Sequence, residues 1–166
     1  MFRSDSPLSH SHAPSLRALA ERLGIPTVAK LARQPGVSSV FRVTAHYHDR
    51  RARDSVATLV RRNTGAPVLE VVYDRLFEHK PIVHALTGER YQTFYAAAMS
   101  IDFDRMTDQP GIPPYDVTDV WLVERAAGTF AREVLVAPTL ALEGKHAMLV
   151  NAIRHGLPEL VREASG

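Results

Sequence analysis

The chain has 166 residues, the size of one ordinary domain, and a domain of that length buries about 70% of its unfolded surface. It holds no cysteine, which excludes disulfides, thiolate metal sites and a thiol nucleophile. Twenty basic residues against 18 acidic ones leave a net charge of +2, too small to imply nucleic acid or an anionic membrane, and 17 of the 20 are arginine, a bias typical of GC-rich bacterial genomes.

Residues 1–14 are rich in Ser, His and Pro and poor in apolar groups, so a disordered tail is expected there, followed by a single α+β domain over 15–166. The tail holds His10 and His12, a spacing without chemical consequence in a disordered segment. From Ser15 the pattern changes. Leu16, Leu19, Ala20 and Leu23 share one helix face, and Gly24-Ile25-Pro26 reads as a Schellman stop. A second short helix runs from about Thr27 to Arg33, ended by Pro35-Gly36. This helical pair is similar in outline to the start of a helix-turn-helix, but the second helix offers only Lys30 and Arg33 as basic reach.

Between Val37 and His48 the period is two. Val37, Ser39, Phe41, Val43, Ala45 and Tyr47 form the expected core face; Val40, Arg42, Thr44, His46 and His48 form the expected solvent face. A hairpin follows over about 54–62 and 67–75, turning at Asn63-Thr64-Gly65-Ala66, with Leu69, Val71 and Tyr73 inward. The stretch after Pro81 carries no clear period. From Thr87 a helix presents Tyr91, Phe94, Tyr95, Ala98 and Met99 at three- and four-residue spacing and fades near Asp102.

The segment 103–116 contains Gln109-Pro110-Gly111 and Pro113-Pro114 and reads as a structured loop, long enough to favour a use of its own. A second hairpin spans about 118–125 and 129–137. Its Leu122-Val123-Glu124-Arg125-Ala126-Ala127-Gly128 echoes Leu59-Val60-Arg61-Arg62-Asn63-Thr64-Gly65 at an offset of 63 residues, compatible with duplication of a β-β-α unit or with convergent hairpin composition. A last amphipathic helix covers Lys145 to Glu163, with a kink or break at Gly156-Leu157-Pro158. The elements sum to an α+β fold in the order α-α-β-β-β-α-β-β-α. Its antiparallel sheet has about five strands, two hairpins plus one strand, with helices on one face.

Candidate chemistry is sparse. His46 and His48, two apart on a strand, would present imidazoles to one side, and a third metal ligand would come from Asp102, Asp104, His79, His84 or His146. Asp102 and Asp104, with Asp108, also suit a carboxylate pair for a divalent cation. The plain alternatives are a solvated strand face and solvated aspartates beside a buried Phe103. Arg50, Arg51 and Arg53 beside Arg61 and Arg62 form the densest basic cluster, suited to an acidic partner or to a charged sheet edge that resists pairing. Tyr115 and Trp121 are placed to form the lip of a pocket.

The expected function is a partner- or ligand-binding module without catalysis, using a surface that includes Arg42, Arg50, Arg51, Arg61, Tyr115 and Trp121. The competing readings are a metal-assisted hydrolase on the His-x-His pair and a DNA-binding regulator through residues 16–33. No cofactor is expected beyond a divalent metal. Nucleic acid and membrane are not expected partners, a cytoplasmic location is the default, and a C2 homodimer would cover an open sheet face or edge.

Overall fold

A computed structural model describes residues 9–114 and 117–162. Helix α1 spans Ser9–Arg22 and α2 spans Val28–Ala32. Strand β1 is Val37–His46, and the first hairpin is β2, Ser55–Arg62, with β3, Val68–Tyr73. A short β4, Ile82–Ala85, precedes α3, Gly88–Ser100. The second hairpin is β5, Val120–Ala127, with β6, Phe130–Val136, and α4 spans Gly144–Gly156. The six strands form one antiparallel sheet in the order β4-β3-β2-β1-β5-β6. Each hairpin therefore lies on one flank of β1, with Phe41 opposite Leu59 on one side and Arg125 on the other.

The end of α1 forms as expected, and the starts of α2 and α3 are capped by side chains that the sequence reading gave only as helix starts. Ile25 N–H donates to Ala20 O at 3.0 Å and Gly24 N–H to Glu21 O at 2.9 Å, with Gly24 at φ +73°, which is a Schellman stop. Thr27 and Thr87 cap α2 and α3 by accepting from the amides of Lys30 and Arg90 at 3.1 Å. In the second hairpin Ala127 pairs with Phe130, so the turn is Gly128-Thr129; only Gly128 has positive φ, the pattern of a type II′ turn.

Two expectations are corrected, and the expected sheet of about five strands has a sixth. The sheet has helices on both faces. One face buries Phe41, Val43, Leu59, Leu69, Trp121 and Val123 against Tyr91, Phe94 and Ala98 of α3 and Leu149, Val150 and Ile153 of α4. The other places Val40 and Ala126 against Val28 and Ala32 of α2, and Val56, Leu122 and Leu135 against Leu16, Leu19 and Ala20 of α1. Two layers of helices are needed because β1, β2 and β5 are central and carry apolar residues on both sides, a composition that cannot face water. The supposed solvent face of β1 is consequently interior.

The sixth strand is β4, in the stretch without a clear period, and it pairs with β3 from Val68↔Ala85 to Val71↔Ile82. Four residues are too few to display a period, and the neighbouring edge of β3 supplies the partner. The second correction concerns α1, which starts at Ser9 and continues through Pro14 rather than starting at Ser15. His12 is buried, with its Nε2 2.9 Å from Pro113 O, so contact with the 103–114 loop compensates for a weak intrinsic preference. Of the expected tail, residues 1–8 lie outside the described residues. The final helix ends at Gly156, and a 3₁₀ turn, Pro158–Leu160, follows it.

The long loop closes a sheet edge. Leu135 N–H donates to Asp108 Oδ1 and Ala137 N–H to Gln109 Oε1, while Gln109 N–H donates to Leu135 O, each at 2.9 Å. The loop thereby satisfies part of the outer edge of β6, which would otherwise invite another strand.

Candidate functional site

A concentration of polar groups beside a cavity lies at one end of the sheet, where the loop 47–54 leaves β1. Arg50 N–H donates to Tyr47 O at 3.2 Å and Arg50 has φ +56°, so the chain turns sharply there. Asp119, one residue before β5, meets this turn. It is 2% exposed, and its Oδ1 accepts from His48 N–H at 3.1 Å and lies 2.7 Å from His48 Nδ1. Arg51 donates to Asp119 Oδ2 and, at 2.6 Å, to Asp49 Oδ1. Its Nε donates to Arg162 O at 3.0 Å and its guanidinium stands 4.9 Å from the Tyr47 ring centroid. One guanidinium therefore ties the loop, the start of β5 and the C-terminal segment together.

Burial opposes ionisation of Asp119, but bonds from Arg51 and His48 outweigh it and hold its carboxyl below the ordinary carboxylate value. Tyr47 lies beneath. Its hydroxyl donates to Leu160 O at 3.3 Å and accepts from Arg162 N–H at 3.2 Å, and burial pushes its pKa up to about 12. The phenol stays protonated and acts as a fixed strut.

These groups border a cavity of about 360 Å³ lined by Tyr47, His48, Arg51, Asp119, Trp121 and Arg162, with Thr139 and Arg154 on its other walls. Trp121 is 2% exposed, and its buried indole Nε1–H has no hydrogen-bond acceptor among the described residues. A larger, more open groove of about 600 Å³ lies between α3 and α4, lined by Phe94, Ala97, Ile101, Met148, Asn151 and Ala152; it is chiefly apolar. The sheet-end cavity is the smaller space, but it has the denser set of converging polar groups, which is what fixes a ligand's orientation.

The expected metal set is redistributed. His48, Asp49 and Asp119 each offer a ligand atom, all within 4.8 Å of one another. His46, Asp102 and Asp104 do not belong to that group. His46 Nδ1 is 3.0 Å from Asp54 Oδ2, and Asp54 Oδ1 accepts from Tyr47 N–H at 3.1 Å. His46 borders a space beside α1, whereas His48 borders the space beside α4. The strand ends at His46, so the two-residue alternation does not extend to His48. Asp102 has φ +58° and lies 3.9 Å from Arg105, and Asp104 accepts from Arg125 Nη1 at 3.0 Å on both oxygens.

The expected binding surface is likewise divided. Arg42 is 2% exposed, lying under the first two helices; its Nε donates to Thr58 Oγ1 at 3.0 Å and its Nη2 to Pro26 O at 2.7 Å. It is therefore an interior residue, facing Glu124 across the β1–β5 pair. Arg50 is exposed, and Arg61 stands 5.7 Å from the Tyr91 ring centroid with Nη1 donating to Gly65 O at 3.4 Å. Tyr115 lies outside the described residues. Of the described members of that set, Arg51 and Trp121 come to the sheet-end cavity.

Asp119, Arg154 and Arg162 escaped the sequence reading. Asp119 lies 71 positions from its partner His48, and no local spacing signals a pairing made by two strands meeting in a sheet. The one available sign was an acidic residue immediately before a β-prone run. No family model matches the chain, and no curated protein matches it.

Proposed function

We propose that the protein is a binding module that takes a small ligand in the sheet-end cavity bordered by His48, Arg51, Asp119, Trp121 and Arg162. The observation that carries this reading is the convergence of His48, Arg51 and Asp119 on a 360 Å³ space that Trp121 also lines. The surrounding network supports it. Arg51, Tyr47 and Asp119 hold one another in place, so the walls are organised before a ligand arrives, which lowers the ordering cost of binding.

The chain has one tryptophan, so its fluorescence reports on this cavity alone. A thermal-shift screen of small metabolites should find compounds that raise the melting temperature of the wild type and change Trp121 emission in parallel. Compounds that stabilise the protein without moving the emission would place binding elsewhere and remove this reading.

A second reading is a divalent-metal centre on His48, Asp49 and Asp119, favoured by the mutual proximity of their ligand atoms. An ion there would have to compete with Arg51, whose guanidinium already bonds both carboxylates. Such a centre could orient or activate water, the chemistry of a metal-assisted hydrolase. Calorimetric titration with zinc or manganese, repeated on Asp119→Asn, tests it: stoichiometric binding lost in the variant supports the centre, and no heat in the wild type ends it.

A further inference from the structure

We propose that the chain has a second ligand site, a cleft of about 650 Å³ that shares Tyr47 and Arg51 with the sheet-end cavity and takes a phosphate group, free or carried by a small organic molecule, on Arg50, Arg53 and Arg75. The cleft follows from strand pairing. Ser55 lies opposite Ala45 of β1 and Tyr73 of β3, so the loop 47–54 and the chain leaving β3 emerge side by side, and Asp74 N–H donates to Asp54 O at 2.8 Å. Arg50, Arg51 and Arg53 thereby meet Arg75, whereas Arg61 and Arg62 lie at the far end of β2.

The charge of the lining is unbalanced, with four arginines against Asp54 and Asp74. Both carboxylates are already bonded. Asp74 accepts from both terminal nitrogens of Arg22 at 2.9 and 3.2 Å, and Asp54 accepts from Tyr47 N–H while lying 3.0 Å from His46 Nδ1. Arg51 is engaged by Asp49 and Asp119, which line the sheet-end cavity. The guanidinium groups of Arg50, Arg53 and Arg75 are different: all three residues are exposed, and these groups make no hydrogen bond or ion pair among the described residues. Arg75 lies in the field of Asp74, a carboxylate that Arg22 already holds.

Two of these arginines are rooted in fixed backbone. Arg50 at φ +56° and Arg75 at φ +54° occupy the left-handed region, which residues with side chains rarely adopt; Arg50 N–H is held by Tyr47 O and Arg75 N–H by His79 Nε2 at 3.0 Å. A phosphate monoester carries close to two negative charges at neutral pH, and its oxygens accept the paired N–H groups of a guanidinium. The surplus of two positive charges in the lining suits that dianion better than a singly charged carboxylate. Leu76, 40% exposed, and Ala52 line the same space and offer an apolar surface to an organic part of the ligand. A space of this volume lies within the range of small-molecule sites.

The test uses the full chain labelled with ¹⁵N. Inorganic phosphate, phenyl phosphate and acetate are titrated separately at constant ionic strength set by chloride, into wild type, Arg53→Gln, Arg75→Gln and, as a control for lost charge elsewhere, Arg33→Gln. The expected result is a saturable displacement of the amides of residues 50–54 and 74–76 by at least one phosphate probe. Its affinity should fall roughly tenfold in Arg53→Gln and in Arg75→Gln, the loss of one charge-assisted bond, and stay unchanged in Arg33→Gln. Tighter binding of phenyl phosphate marks the ligand as an organic phosphate; tighter binding of inorganic phosphate marks it as the free anion.

Both substituted guanidinium groups are unbonded, so the variants should fold, and unchanged amides away from the cleft verify it. Displacement without saturation, equal affinity in all four proteins, or acetate binding as tightly as phosphate overturns the proposal. Trp121 does not line this cleft. Phosphate compounds should therefore stabilise the protein without moving its emission, and the sheet-end reading is judged on compounds without phosphate, so that either site can fail while the other stands.

Discussion

Arg42 and Asp119 show how a charged side chain acquires its role from what covers it. Both are 2% exposed, yet each is bonded, Arg42 to Thr58 and Pro26 O, Asp119 to Arg51 and His48. Removing one member of a buried polar set leaves the others unpaired, which typically costs about 3–5 kcal/mol. Arg42→Leu should therefore destabilise the protein by about that amount in urea unfolding, and adding Glu124→Gln should recover part of the loss. No recovery would mean that Glu124 is not what Arg42 compensates.

The two carboxyls also predict opposite pH responses. Asp119 titrates below its ordinary 3.8, so its contribution to stability is complete above that value and is lost as pH falls further. Burial pushes the Glu124 carboxyl above its ordinary 4.5, with Arg42 acting against it. Its contribution is present below 4.5 and is lost as pH rises through the higher folded value. Thermal melts across pH should show Asp119→Asn losing less stability than the wild type as pH falls below 3.8, and Glu124→Gln losing less as pH rises above 4.5.

At the scale of elements, the contact between α3 and α4 depends on a missing side chain. A Cβ added at Gly156 would lie 2.9 Å from Cδ2 of the buried Phe94 and 3.1 Å from its Cβ. Gly156→Ala should thus destabilise by about 1–3 kcal/mol through overpacking, outweighing the roughly 0.5–1 kcal/mol that alanine contributes to helix preference. A stabilised variant would show that Phe94 has room to move. Thr87→Ala, which removes an N-cap bond of 3.1 Å, should cost about 1 kcal/mol by the same measurement.

For the whole molecule, the centre of the sheet is made from segments remote in sequence. β1 pairs with β2 and β5, each buried on both faces, while β4 is a four-residue edge with Val83 57% exposed. Amide hydrogen exchange should be slowest in β1, β2 and β5, and fastest among the strands in β4, because local opening is easiest where few contacts must break. Protection of β4 equal to that of β1 would contradict this ordering. Among the described residues no helix is long and apolar enough to cross a membrane.

Sequence alone determined the features governed by neighbours along the chain. The Schellman stop at Gly24, both hairpins and the inward set of α3 depend on φ, ψ preferences and on periods of two or 3.6 residues, all legible within a dozen positions. Tertiary structure decided the rest. Whether Arg42, Thr44 and Val40 faced solvent depended on two helices closing over a second sheet face, and a polar residue in a strand looks the same covered or bare. β4 existed only because β3 offered an edge, and the helical turn before Ser15 held because His12 met Pro113. The union of His48, Asp49, Arg51, Asp119, Trp121 and Arg162 required β1 and β5 to pair and the C-terminal segment to return. Such a pairing is selected by the free energy of the whole sheet and leaves no local spacing to read.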